Sequence, residues 1–313
     1  MHQFVGQLMT IKDINYQSGL NSVWTKNLAN NQQPDSKALL AHLRTVHQNN
    51  AGFTEKCASS CRDKAGRNSY EWLAEIVPNV DGIRVLDLAC GSGPLLKILY
   101  DRNKNFKLKG ADISPEELEL AKARLPKGSV DLLELKAQNL TAIDDNSIDV
   151  VLCHWALTLM NPITPVLNEI RRVLSSGGKF AALVNGPMDA APGYNDVYNL
   201  IYKYVQAKLP RYGEIDLGDP RIRSTDRSKN LLHEAFPDAK VNIETSVVFM
   251  EGPVTEVAET AAGFFYASFI LPPETRRIML SELSNLLEIS KQSGDRERQG
   301  RFSMPINRIV IRK

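Results

Sequence analysis

The apolar positions of the chain fall into short runs separated by turn residues, and the run from Ile83 to Ala89 is the clearest of them. Ile83, Val85, Leu86, Leu88 and Ala89 are mostly branched and too few for an isolated helix, which predicts a strand buried on both faces. The run breaks at Gly91-Ser92-Gly93, Pro94 follows near a helix start, and Leu95, Leu96, Ile98 and Leu99 recur at helical spacing. Strand, glycine turn and helix are therefore expected in that order. Further strands are expected over 130–139 and over 179–184, with a helix from Asn168 to Leu174 that Gly177-Gly178 would stop. Ser114, Pro115 and Glu117 are arranged as a capping box for a helix through Leu125.

Outside this stretch the pattern is looser. Residues 1–35 are polar with isolated Phe4, Tyr16 and Trp24, Asn30 to Pro34 is expected to be a loop, and Ala38, Leu39, Leu40, Leu43 and Val46 mark an amphipathic helix. Asn68 to Val77 predicts a helix with Ser69 near its cap. Tyr194 to Val205 predicts a helix with rings on more than one side, 211–230 a charged loop, and 231–236 a helix. A strand over 241–250, helices over 255–270 and 273–291, and a last strand over 302–311 complete the reading.

With 313 residues, 43% hydrophobic and 24% charged, the chain has the composition of an ordinary globular protein. Its net charge of +2 comes from nearly balanced signs, so no strong field for nucleic acid is expected, and clusters such as Arg221, Arg223 and Arg227 or 296–301 are read as surface. No apolar run reaches the roughly 18 residues a membrane span needs, and Met1 to Tyr16 lacks a signal-peptide pattern, so a cytoplasmic protein without membrane contact is expected. Cys57 and Cys61 have no second pair at zinc spacing, and no metal site is expected.

A glycine turn between strand and helix lets a ligand lie against bare backbone. Leu96 stands where the third glycine of a dinucleotide fingerprint would be, which weakens a nicotinamide oxidoreductase reading, and no Lys-Ser/Thr follows, which removes a P-loop. Asp87, four residues before Gly91, could meet a cationic ligand group. Asp112 lies about 20 residues past the turn, where an acidic residue ending the second strand binds ribose hydroxyls.

Asp87-Leu-Ala-Cys-Gly91-Ser-Gly93 closely resembles motif I of the class I S-adenosylmethionine-dependent methyltransferases, and Asp149-Val-Val resembles their fourth-strand segment. The resemblance runs from Ile83 to Asn185. It implies an α/β fold with a doubly wound, mostly parallel seven-stranded sheet whose seventh strand is antiparallel. It also implies helical lid elements: 1–67 as an N-terminal lid, 68–185 as the cofactor core, and 186–313 as lid helices with the strands that complete the sheet. It implies S-adenosyl-L-methionine as cofactor, with Asp87, Ala89, Gly91, Gly93, Asp112, Ile113 and Cys153 around it and Tyr70 or Arg67 reaching its methionine end. The family's usual adenine-binding Asp is missing; Gln138 and Asn139 stand in its place, and an amide oxygen can accept from the adenine amine.

The implied reaction is in-line methyl transfer to an O or N atom of a small acceptor, with little bond chemistry left to the protein beyond positioning and exclusion of water. His154, at the open end of the fourth strand, is the candidate general base, with Tyr266, Tyr194 and His233 as weaker ones. An RNA or protein methyltransferase, or a binding protein without turnover, would share the core. A small-molecule partner is expected, nucleic acid is not, and a homodimer is left open.

Overall fold

The computed structural model describes residues 21–50, 52–214, 217–289 and 297–313. Phe4, Tyr16, Lys291 and Arg296, named above, lie outside them. Seven strands form one sheet: β1 (Arg84–Leu88), β2 (Lys107–Asp112), β3 (Val130–Glu134), β4 (Ile148–His154), β5 (Leu174–Asn185), β6 (Lys240–Pro253) and β7 (Gln299–Arg312), in the order β3-β2-β1-β4-β5-β7-β6. The first five pair in parallel, and β7 runs antiparallel to both β5 and β6.

Helices cover both faces because alternate strand residues point to opposite sides. Val85, Leu108 and Val150 join one core with α4 (Ser69–Ala74), α5 (Pro94–Arg102) and α6 (Pro115–Arg124). Leu86, Leu88 and Val151 join the other with α7 (Ile163–Val173) and α9 (Thr225–Ala235). The first core also takes in α1 (Val23–Ala29), α2 (Ser36–Asn49), α3 (Phe53–Ser60), α8 (Tyr194–Gln206), α10 (Val254–Gly263) and α11 (Pro273–Leu287). Among the described residues no helix is long and apolar enough to cross a membrane.

Several local expectations are corrected. Helix α1 falls inside the stretch read as polar, because Trp24, Thr25 and Leu28 bury one side of it, Trp24 stacking on His42 at 4.9 Å. Gly177-Gly178 does not stop a helix: α7 ends at Val173, Leu174 already pairs with Ile148, and the glycines sit within β5, where the register shifts. The 255–270 helix ends at Gly263, and Tyr266–Ile270 form a separate 3-10 turn. Helix α9 begins inside the expected charged loop, capped by Ser224. Asn68 caps α4 in a full capping box with Glu71, and Ser69 stands next to the cap as expected.

Candidate active site

Strand order reverses between β1 and β4, and the carboxyl ends of these strands open a crevice there, as doubly wound sheets do. The cleft has a volume of about 730 Å³. Its floor is the glycine turn. Ala89, Gly91 and Gly93 all adopt positive φ (57°, 52° and 78°), so three of the five residues from Ala89 to Gly93 use the left-handed region to turn the chain sharply into α5. Close packing supports the turn from behind: a Cβ on Gly93 would stand 3.1 Å from Ala121 Cβ, which explains a glycine there.

Asp112 ties this turn to β2. Its Oδ2 accepts from the Gly91 N–H at 2.8 Å and its Oδ1 from the Ser114 N–H at 2.9 Å. Burial raises its carboxyl pKa, an effect these backbone bonds oppose. Asp87 is 1% exposed, its Oδ1 has no hydrogen-bond partner among the described residues, and burial followed by the Asp112 charge holds its pKa well above the usual carboxylate range. An enclosed carboxyl with an empty lone pair, on the wall of a cleft, is satisfied by a cationic group brought in by a ligand.

The cleft continues from this polar floor into a chamber of rings. Tyr70 stacks on His154 at 3.7 Å, His154 meets Trp155 edge-on at 4.8 Å, and Trp155 meets Phe264 at 5.1 Å. Helix α8 adds Tyr194, Tyr198 and Tyr202, the last two stacked at 4.0 Å. Trp155 itself holds a φ of +57°, and its buried indole N–H has no partner among the described residues. Strain and an unspent donor together are what functional clefts retain.

Of the residues singled out from the sequence, Tyr70, Asp87, Ala89, Gly91, Asp112, Ile113, Gln138 and His154 line the cleft. Arg67 does not reach it: its guanidinium is taken by Asp63 at 2.7 Å and Glu75 at 2.7 Å. Cys153 is wholly buried in the second core, where burial pushes its thiol up to about 12. The Asn139 side chain turns back to accept from the Thr141 N–H at 3.3 Å, leaving Gln138 as the amide on the wall. Gly93 acts through the turn behind the wall.

His154 also differs from a free imidazole. Its Nε2 lies 2.9 Å from Ser69 Oγ, and burial lowers its pKa to about 3. At neutral pH it is uncharged and a weak acceptor of protons. The unfolded value near 6.5 means that protons enter the unfolded chain first as pH falls, so this histidine costs stability between about pH 6.5 and 3. A His154→Gln variant escapes that cost. Its stability relative to the parent, measured by urea unfolding, is expected to improve by roughly 2 kcal/mol between pH 7.5 and 5; a constant difference would show that the imidazole titrates normally.

Residues that the sequence reading passed over complete the cleft from its open side. His47 on α2 places Nε2 at 2.8 Å from the Tyr266 hydroxyl and Nδ1 at 3.3 Å from Glu117 Oε1, and Glu55 on α3 accepts at 2.7 Å from both Ser92 Oγ and Arg124. No short-range motif marks these contacts, since each joins positions far apart in the chain.

The parallel sheet, its switch point and the acid-ended second strand define a doubly wound nucleoside-binding fold. Residues 86–182 match the family described as a methyltransferase domain. Over these residues the core is similar to the methyltransferase domain of that family. The chain is 30% identical over 175 residues to the mitochondrial 2-methoxy-6-polyprenyl-1,4-benzoquinol methylase of Schizosaccharomyces pombe, covering 50% of this chain and 53% of that protein. It is 29% identical over 136 residues to a ubiquinone/menaquinone biosynthesis C-methyltransferase of Desulfotalea psychrophila, covering 44% and 53%. The chain thus spans about half the length of these curated relatives. Among solved structures, the YcgJ protein of Bacillus subtilis is similar with a TM-score of 0.51 at 14% identity, covering 78% of this chain and 97% of that one. The [4+2]-cyclase SpnF is similar with 0.53 at 15%, covering 90% and 97%. At such identities the likeness is one of fold, and a cyclase on the same fold shows that the site must decide the reaction.

Proposed function

We propose that the protein transfers a methyl group from S-adenosyl-L-methionine to a small, planar, apolar acceptor. The observation that carries this reading is the division of one cleft into two chemically different halves. The floor around Asp87, Gly91 and Asp112 offers a buried carboxyl oxygen without a partner among the described residues, a turn stripped of side chains and an acidic strand end. These fit the ammonium and ribose of the sulfonium nucleoside, with Gln138 on the wall for the adenine. When bound, that nucleoside supplies the activated methyl group.

The adjoining ring chamber suits a flat apolar molecule, whose faces rest against Tyr and Phe side chains. The printed names of the relatives above include a benzoquinol methylase and a C-methyltransferase, which favours a ring carbon over the O or N atom expected from the sequence. Neutral His154 then serves the acceptor as a hydrogen-bonding group that orients a ring hydroxyl, and the Trp155 indole N–H is a second group able to hold an oxygen. Helices α2 and α3 act as the cover that keeps water out, in line with the division of the chain into a 1–67 cover, a 68–185 core and a 186–313 completion.

Incubation with the methyl-labelled donor and a panel of hydroquinones and phenols, with products read by NMR, tests this directly. Label on a ring carbon is expected. Label on oxygen would keep the enzyme and correct the acceptor atom, and donor uptake without any labelled product would favour a binding protein.

A further inference from the structure

Glu117 breaks a local rule in a way that points to a ligand. In the sequence Ser114 and Glu117 form a capping box, in which the glutamate carboxylate returns to the N–H of the capping serine. Half of that box exists: the Glu117 N–H donates to Ser114 Oγ at 3.3 Å. The other half does not, because the Ser114 N–H donates to Asp112 Oδ1 instead. Freed from the helix end, the Glu117 carboxylate swings into the cleft, where it is 5% exposed.

Only one of its oxygens has structural work there. Oε1 accepts from the Gly52 N–H at 3.2 Å and meets His47 Nδ1 at 3.3 Å, which anchors the covering helices. Oε2 has no hydrogen bond among the described residues and lies 3.7 Å from the point where a Cβ on Gly91 would stand. Asp112 Oδ2 reaches the same glycine through the Gly91 N–H at 2.8 Å. Two buried carboxylates therefore converge on one residue, and the charge of Glu117 adds to the burial that raises the Asp112 pKa. Two neighbouring carboxylates repel, and Oε2 faces the cleft with no donor among the described residues. A ligand that presents two adjacent hydroxyl donors offsets that repulsion and supplies the missing donor.

We propose that Glu117 is a second ribose-binding residue, its Oε2 accepting from one hydroxyl of the nucleoside diol while Asp112 serves the other. This rests on the reading that the cleft takes S-adenosylmethionine. It gives the cover a direct link to the ligand, since the carboxylate that meets the ribose also holds Gly52 and His47.

The test compares S-adenosylhomocysteine with its 2′,3′-dideoxy analogue by calorimetry, on the full chain and on Glu117→Gln. Replacing a charged acceptor by a neutral one should weaken S-adenosylhomocysteine about fivefold, and the loss should vanish with the dideoxy analogue, which has no diol to offer. Glu117→Ala should repeat the pattern with a larger loss, and serves if the glutamine variant folds poorly. A loss of equal size for both ligands would assign Glu117 to holding the cover alone and overturn the proposal, as would no loss at all. Uptake of neither nucleoside by the parent chain would sink the cofactor reading and this one with it, a result distinct from failure of Glu117 alone.

Discussion

Asp112→Ala is expected to weaken S-adenosylhomocysteine binding by at least about 30-fold. The carboxylate does two things at once. It offers acceptor capacity to a ribose, and it holds the Gly91 and Ser114 N–H groups at 2.8 and 2.9 Å. Removing it leaves both buried donors unpaired, at about 1–3 kcal/mol each, and releases the turn on which the ligand must lie. About 2 kcal/mol of that appearing in binding corresponds to the stated factor. Asp112→Asn keeps one acceptor oxygen and should fall between the two. Calorimetry on variants whose circular dichroism matches the parent decides the matter, and an unchanged affinity would remove Asp112 from the ligand's surroundings.

Gly110→Val should be the most damaging change in the sheet. A Cβ at this position would stand 2.7 Å from Leu96 Cδ1, 2.9 Å from Cys90 Sγ and 2.9 Å from Leu132 Cδ2, closer than real contacts allow. Leu96 and Cys90 are both buried, so neither can swing into solvent. Valine adds two further methyl groups to this crowding, and a loss of about 3 kcal/mol is expected, at the upper end of overpacking costs. The displaced atoms belong to the glycine turn, α5 and β3, so ligand affinity should fall along with the unfolding midpoint. Gly110→Ala should show the same effects in smaller measure; a valine variant with the parent's midpoint would show that β2 and α5 are less tightly joined than they are drawn.

The parts of the fold that were legible in the chain are those fixed by local pattern. The apolar run to Leu88, the break at Gly91-Ser92-Gly93 and the Pro94 start of α5 each carry their own signal, and Asp112 could be placed by its spacing from the turn. Misreadings arose where tertiary contacts override local chemistry. Gly177 looks like a helix stop, but α7 has already ended and the glycine lets β5 bulge, its N–H donating to the Lys313 carbonyl at 2.9 Å. Glu117 looks like a capping residue, but Asp112 takes the N–H that it would have bonded. Arg67 has the charge to meet a carboxylate at the cofactor's methionine end, but Asp63, four residues earlier, and Glu75 hold it first. His154 was placed at the mouth of β4 correctly by order along the chain. Its loss of basicity comes from burial, to which Tyr70 of α4, stacked on it at 3.7 Å, contributes and which no local pattern reports.

Methyl transfer by this chain requires a nucleoside on the floor of the crevice between β1 and β4. Titration of the folded chain with S-adenosylhomocysteine, run beside NADH, tests this most directly. Saturable uptake of one S-adenosylhomocysteine per chain, with a raised unfolding midpoint and no response to NADH, is the predicted result. Uptake of NADH instead, or no response to either by folded protein, would contradict it.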